Sequence, residues 1–155
     1  MQVSYRRTSD LIVKKPISVL PMSATDSFFD TNTLLYLISD EPGKAARSKD
    51  LLGGGGTISV QVLNEFAAVS RRKHKLPWPK VRELLADFQS AFDVVPVTMV
   101  SHSRAMLLAE RHHFSVYDAN VVAAALIAGC RVLYSEDMQD GQLIEGLTIR
   151  NPYKT

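Results

Sequence analysis

A single cysteine, Cys130, stands in a chain of 155 residues, so no disulfide can form within it. That suits a reducing compartment. The thiol follows an apolar helical stretch and precedes an apolar strand-like one, the setting of a buried, inert cysteine. Long apolar runs are missing as well: none approaches the ~18 residues that span a bilayer. Leu11-Ile12-Val13 is cut off by Lys14-Lys15-Pro16, which leaves no signal-peptide core. A cytoplasmic protein without membrane contact is the expectation. Charge of one sign is also scarce. The formal net charge is +2, and residues 1–21 hold Arg6, Arg7, Lys14 and Lys15 against Asp10, a net +3. The remainder is therefore −1, which excludes a generally basic nucleic-acid binder. Any phosphate contact must come from a local patch or a metal.

What is present is the composition of a globular protein, 46% hydrophobic and 22% charged, in a chain of single-domain size. Residues 1–26 mix charge, Ser, Thr and Pro with little periodicity and read as a poorly ordered extension, with Met22 a candidate start. The domain is expected over 27–155. A strand at Ser27-Phe28-Phe29 turns at Asp30 into a helix with apolar Leu34, Leu35, Leu37 and Ile38, which Thr31 or Asn32 can cap. Helices are expected over 44–52, 60–74, 78–92 and 98–112, the last with an apolar set of Met99, Met106, Leu107 and Ala109. The most apolar helix starts at Ser115 and stops at Gly129. Strands are expected at 57–59, 93–97, 131–135 and 147–150. Gly53 to Gly56 lack the Gly-Lys-Ser/Thr of a phosphate-binding loop and read as a flexible connector. Strands alternating with helix pairs imply a three-layer α/β/α sandwich with a mostly parallel central sheet.

In such a sheet ligands bind at the carboxyl edge of the strands. Four carboxylates map to that edge. Asp30 and Asp137 follow buried strands. Glu65 and Asp118 sit early in helices that begin there, beside apolar residues. One acid in such a place is an ordinary helix cap or dipole partner. Four converging acids repel one another unless something positive lies between them, and no Lys or Arg adjoins any of them in sequence. All-oxygen ligand sets select hard divalent cations, Mg²⁺ or Mn²⁺. The four histidines show no zinc-ligand spacing.

Phe28-Phe29-Asp30-Thr31-Asn32, Leu63-Asn64-Glu65-Phe66, Tyr117-Asp118-Ala119 and Ser135-Glu136-Asp137, in that order, resemble the acidic motifs of the PIN-domain family. The resemblance covers about residues 27–152, and the short single-domain form is most similar to VapC-type toxins of bacterial toxin–antitoxin pairs. It implies a PIN-like fold and a metal-dependent endoribonuclease held inactive by an antitoxin protein. Asp30, Glu65, Asp118 and Asp137 take the four acidic positions, Asn32 and Ser135 the flanking polar ones, and Asp140 a variable extra acid. The chain departs from the pattern in carrying about 26 residues ahead of the first strand.

The expected chemistry is hydrolysis of an RNA phosphodiester. Asp30 and Asp118, with help from Asp137, would hold Mg²⁺, Asp137 and Asp140 would serve a second ion, and Glu65 would orient or deprotonate water. Arg71 and Arg72, closing the helix that carries Glu65, are candidate RNA contacts, although cations there also suit the helix dipole. A homodimer is allowed. Two alternatives stand: a catalytically inactive PIN-like scaffold that binds RNA or protein, and a haloacid-dehalogenase-like phosphatase. The second needs another acid where this chain has Asn32.

Overall fold

The computed structural model describes residues 26–155; the expected extension, all but Asp26, and the candidate start at Met22 lie outside the described residues. Asp26 is already tied into the domain. Its carbonyl accepts from the backbone N–H groups of Arg131 and Val132, and its carboxylate pairs with Arg131 at 2.8 Å.

The first strand, β1 (Ser27–Phe29), runs into helix α1 (Thr31–Leu35) and a 3-10 turn over Tyr36–Ile38. Then come α2 (Pro42–Leu52), β2 (Thr57–Ser59), α3 (Val60–Arg72), α4 (Trp78–Ala91) and β3 (Asp93–Val95). The chain ends with α5 (Met99–His112), α6 (Val116–Ile127), β4 (Val132–Tyr134), β5 (Leu143–Ile144) and β6 (Leu147–Arg150). The sheet order is β3-β2-β1-β4-β6-β5; every pairing is parallel except β5 with β6. Phe28 and Phe29 point to opposite faces because strand side chains alternate. Both are buried, so helices cover both faces of the sheet, as expected for an α/β/α sandwich.

Successive strands move outward from β1 through β2 to β3, and the chain then crosses back to place β4 on the other side of β1. The order reverses there, and the crevice at the strand ends of such a switch point is where α/β sheets bind ligands. Asp30 leaves β1 and Ser135 leaves β4 at that point. Their strands are in register through Phe29 and Tyr134, whose rings stack with centroids 5.7 Å apart.

Three expectations need correction. Asp30 itself caps α1, accepting from the Thr31 N–H, while Thr31 is already the first helical residue. In α5 the buried positions are Ser101, Ala105 and Leu108, whereas Met99 and Leu107 are exposed. Ser101 tolerates burial because its hydroxyl is engaged in the capping box with Thr98, accepting from that backbone N–H at 2.8 Å. The glycine run is more than a connector at its last member. Gly56 is buried at φ +149°, and a Cβ there would lie 2.5 Å from the Phe29 ring and 2.8 Å from the Ser27 carbonyl. Phe29 leads directly into Asp30 and cannot yield easily. Gly56→Ala should therefore cost about 3 kcal/mol through overpacking and backbone strain, read as a lower urea midpoint. An unchanged midpoint would mean that the β1–β2 packing shifts freely.

Candidate active site

Asp30 is only 4% exposed, and both its carboxylate oxygens are hydrogen-bonded: Oδ1 accepts from the Thr31 N–H at 2.7 Å and Oδ2 from the Ser135 hydroxyl at 2.7 Å. Its pKa is nevertheless raised to about 7. Burial is the main cause; the bonds from Ser135 and Thr31 oppose it, and the charges of Asp118 and Asp137 add to it. Ser135 is fully buried and also accepts from the Asp137 N–H at 3.2 Å, so one hydroxyl joins two of the acids.

Asp137 opens the loop after β4. Asn32, from α1, clasps this loop, donating its Nδ2 to Asp137 at 3.1 Å while its Oδ1 accepts from the Glu136 N–H at 3.4 Å. Glu65 lies beside the buried face of α3, which is formed by Val62, Phe66 and Ser70. The Thr31 hydroxyl donates to Glu65 Oε2 at 2.9 Å and Gln61 Nε2 to Oε1 at 2.9 Å. Asp118 occupies the first turn of α6, where its N–H donates to the capping hydroxyl of Ser115 at 3.1 Å. Burial raises the Asp118 pKa first; the Ser115 hydroxyl opposes, and Asp137 and Glu65 raise it further. Asp118 thus feels Asp137 and Glu65, and Asp30 feels Asp118 and Asp137. The fold brings Asp30, Glu65, Asp118 and Asp137 into one acidic site, with Asn32 and Ser135 between them. Among the described residues no Lys or Arg pairs with any of the four.

Asp140 faces elsewhere. Its Oδ1 accepts from the Asn151 N–H at 2.9 Å and its Oδ2 lies 3.8 Å from Lys154 Nζ. Arg71 is also occupied, donating to the Leu76 carbonyl at 2.8 Å with its guanidinium 4.9 Å from the centre of the Trp78 ring. Arg72 is exposed at the end of α3.

The donor chemistry fits a hard cation: the side chains are all oxygen donors, and burial raises the pKa of one of the carboxylates to about 7. Among the described residues, no three His, Cys, Asp or Glu side chains stand close enough to hold a metal ion directly between them. An ion that keeps part of its water shell, as Mg²⁺ does, suits carboxylates so spaced.

Sequence reasoning missed Gln61, Ser115 and the role of Thr31. Gln61 stands one helical turn before Glu65, a spacing at which side chains meet, and Ser115 stands three before Asp118 as an N-cap does. A further group was also missed: Glu136 accepts from Tyr36 and from Lys44, and Lys44 also donates to the Tyr36 hydroxyl at 2.9 Å. This pins the loop that carries Asp137 to the 3-10 turn and α2.

No curated protein sequence matches the chain. Solved structures do. VapC20 from Mycobacterium tuberculosis, described as a sarcin–ricin loop cleaving toxin, is 21% identical with a TM-score of 0.61, over 72% of this chain and 89% of that one. A toxin–antitoxin complex from Klebsiella pneumoniae matches at 21% identity and a TM-score of 0.64, over 83% and 99% of the two chains. VapBC2 from Rickettsia felis, bound to a DNA fragment from its promoter, matches at 20% and 0.59, over 81% and 97%. At these identities the likeness shows the fold. The family model for the PIN domain matches residues 27–139, a span that includes Asp30, Glu65, Asp118 and Asp137. The chain belongs to the PIN-domain family.

Proposed function

We propose that the protein is a metal-dependent endoribonuclease, the toxin of a type II toxin–antitoxin pair acting in the cytoplasm. The observation that carries this reading is the convergence of four carboxylates, one of them buried, on the carboxyl edge of the sheet with no basic partner among the described residues. Such a cluster costs folding energy unless it serves to hold a cation. The likeness to structures described as a sarcin–ricin loop cleaving toxin and as a toxin–antitoxin complex supports the substrate class and the partner.

In this reading Asp30, Asp118 and Asp137 hold Mg²⁺ or Mn²⁺. The cation supplies activation of water and neutralisation of phosphate charge. Ser135 and the Thr31 N–H fix the direction of the Asp30 carboxylate, and Asn32 holds Asp137 toward it. Glu65 orients the attacking water and accepts its proton. It suits that task because Thr31 and Gln61 steady both of its oxygens. The antitoxin would silence the site by inserting an Arg, whose guanidinium binds carboxylates bidentately and can take the cation's place.

The test is cleavage of RNA by the purified full chain in Mg²⁺, with Asp118→Asn protein purified in parallel as the control for contaminating nuclease. Cleavage should disappear in EDTA and return with excess Mg²⁺ or Mn²⁺. Persistence in chelator, or equal cleavage by the Asp118→Asn protein, would refute the mechanism.

A further inference from the structure

Next to the acidic site lies a cleft of about 190 Å³ between the 3-10 turn after α1 and the carboxyl end of α3. Its lining includes Asn32, Glu136 and Asp137, the apolar Leu35 and Val69, and Lys73 and His74. The sequence explains the placement. Glu65, Val69 and Lys73 are spaced by four and form one ridge along α3, which leads from the acidic site to the cleft. Arg72 lies on the other side of that ridge.

The charges in the cleft divide unevenly. Glu41 and Glu136 are both met by Lys44, at 4.0 Å in the first case and by a direct hydrogen bond in the second. Asp137 is met by Asn32. Lys73 makes no ion pair among the described residues. His74 is half-buried, and its pKa is lowered by burial first and by Lys73 second, with Asp40 opposing. Near pH 7 it is therefore a neutral hydrogen-bonding group, and among the described residues Lys73 is the one cation lining the cleft that makes no ion pair.

We propose that this cleft is a subsite for the nucleotide next to the cleaved bond: Lys73 and His74 bind the flanking phosphate, and Leu35 and Val69 support its sugar. The volume is below the ~300 Å³ at which small-molecule pockets begin, which suits one phosphate–sugar unit of a strand passing through rather than a ligand enclosed whole. The apolar side chains and the cation in its lining also suit a single strand, whose phosphate and sugar are accessible on one side. The proposal rests on the ribonuclease reading and assigns the phosphate contact to Lys73 and His74 in place of Arg71, whose guanidinium is committed to Leu76 and Trp78.

The test uses the full chain with Asp30→Asn, to prevent cleavage, and a labelled 12-nucleotide single-stranded RNA pool of mixed sequence, titrated across a salt series. Lys73→Ala should weaken binding about tenfold at low salt, as expected for a lost charged hydrogen bond. It should also reduce the log–log salt slope by about 0.7, the value for one single-strand phosphate contact. His74→Ala should weaken binding at pH 7.5 without changing the slope. Arg72→Ala removes an equal charge one residue away and outside the cleft, and should change the slope by less than half as much. Equal losses from Lys73→Ala and Arg72→Ala would indicate a diffuse basic surface and overturn the subsite. Cleavage by the otherwise wild-type chain in Mg²⁺, combined with undiminished RNA affinity in Lys73→Ala, would overturn the subsite and leave the ribonuclease standing. Failure of the wild-type chain to bind or cleave any RNA would defeat both.

Discussion

Asp30→Asn will reduce RNA cleavage by about 10³-fold or more while leaving the fold in place. Changes to groups that merely support a metal ligand cost about 10–100-fold, and Asp30 is proposed as a ligand itself. The substitution keeps the shape and one acceptor oxygen, so the Thr31 N–H that caps α1 remains satisfied. The new amide can donate to Ser135, whose hydroxyl rotates to accept, and Ser135 can still receive the Asp137 N–H. The variant should show the circular dichroism of the wild type. Cleavage at the wild-type rate would remove Asp30 from the chemistry. Loss of cleavage together with loss of the folded spectrum would assign the residue to architecture alone, and the Asp118→Asn protein separates those cases at a half-buried site.

Much of this site was legible because its signals are local. An apolar strand that ends in Asp and passes straight into a helix is visible in six residues, and so is an acid in the first turn of an all-apolar helix. Those two patterns place Asp30 and Asp118 at one sheet edge once the strands are parallel. What holds the acids could not be read in this way. Thr31 meets Glu65 across 34 positions, and Asn32 meets Asp137 across 105. Such pairs are set by the packing of α1 against α3 and by the pairing of β1 with β4, not by anything near them in the chain. Strand β5 was missed because it has two residues, one of them exposed, too few for an alternating pattern to register. The buried face of α5 was not legible for a different reason. Apolar content is only one route to burial, and Ser101 and Ala105 reach it by being small or internally bonded while Met99 remains outside. Arg71 and Arg72 looked alike in sequence; only the loop to α4 shows that one of them already serves the Leu76 carbonyl.

The metal-free protein should be more stable at pH 5.5 than at pH 8, and Mg²⁺ should reverse the order. Asp30 has a folded pKa of about 7 against 3.8 for the free side chain. A raised carboxyl pKa means that the folded state holds its proton more tightly than the unfolded chain does. The stability linked to that proton is complete below pH 3.8, falls as pH rises, and is exhausted once pH passes about 7. The difference corresponds to about 4 kcal/mol between the two limits, or roughly 8–16 °C in melting temperature for a domain of this size. Part of that span falls between pH 5.5 and 8, and the raised pKa of Asp118 acts with the same sign. Glu136 and His74 act oppositely, because their pKa values are lowered in the fold; the Glu136 contribution is lost only below the usual carboxylate range, which pH 5.5 avoids, while that of His74 is lost as pH falls below the usual histidine range and offsets part of the Asp30 and Asp118 effect. A cation at the carboxylates binds only the folded protein, and at a hundred times its dissociation constant it adds about 2.7 kcal/mol. At pH 5.5 protons compete for Asp30, so the same Mg²⁺ concentration should add much less. Scanning calorimetry in EDTA and in Mg²⁺ at both pH values reads all four quantities, and Asp30→Asn should flatten the pH dependence in EDTA and most of the Mg²⁺ effect. A wild-type protein that melts higher at pH 8 in EDTA would show that Asp30 is not the strained carboxylate. An Mg²⁺ shift equal at both pH values, or undiminished in Asp30→Asn, would place the ion away from this site.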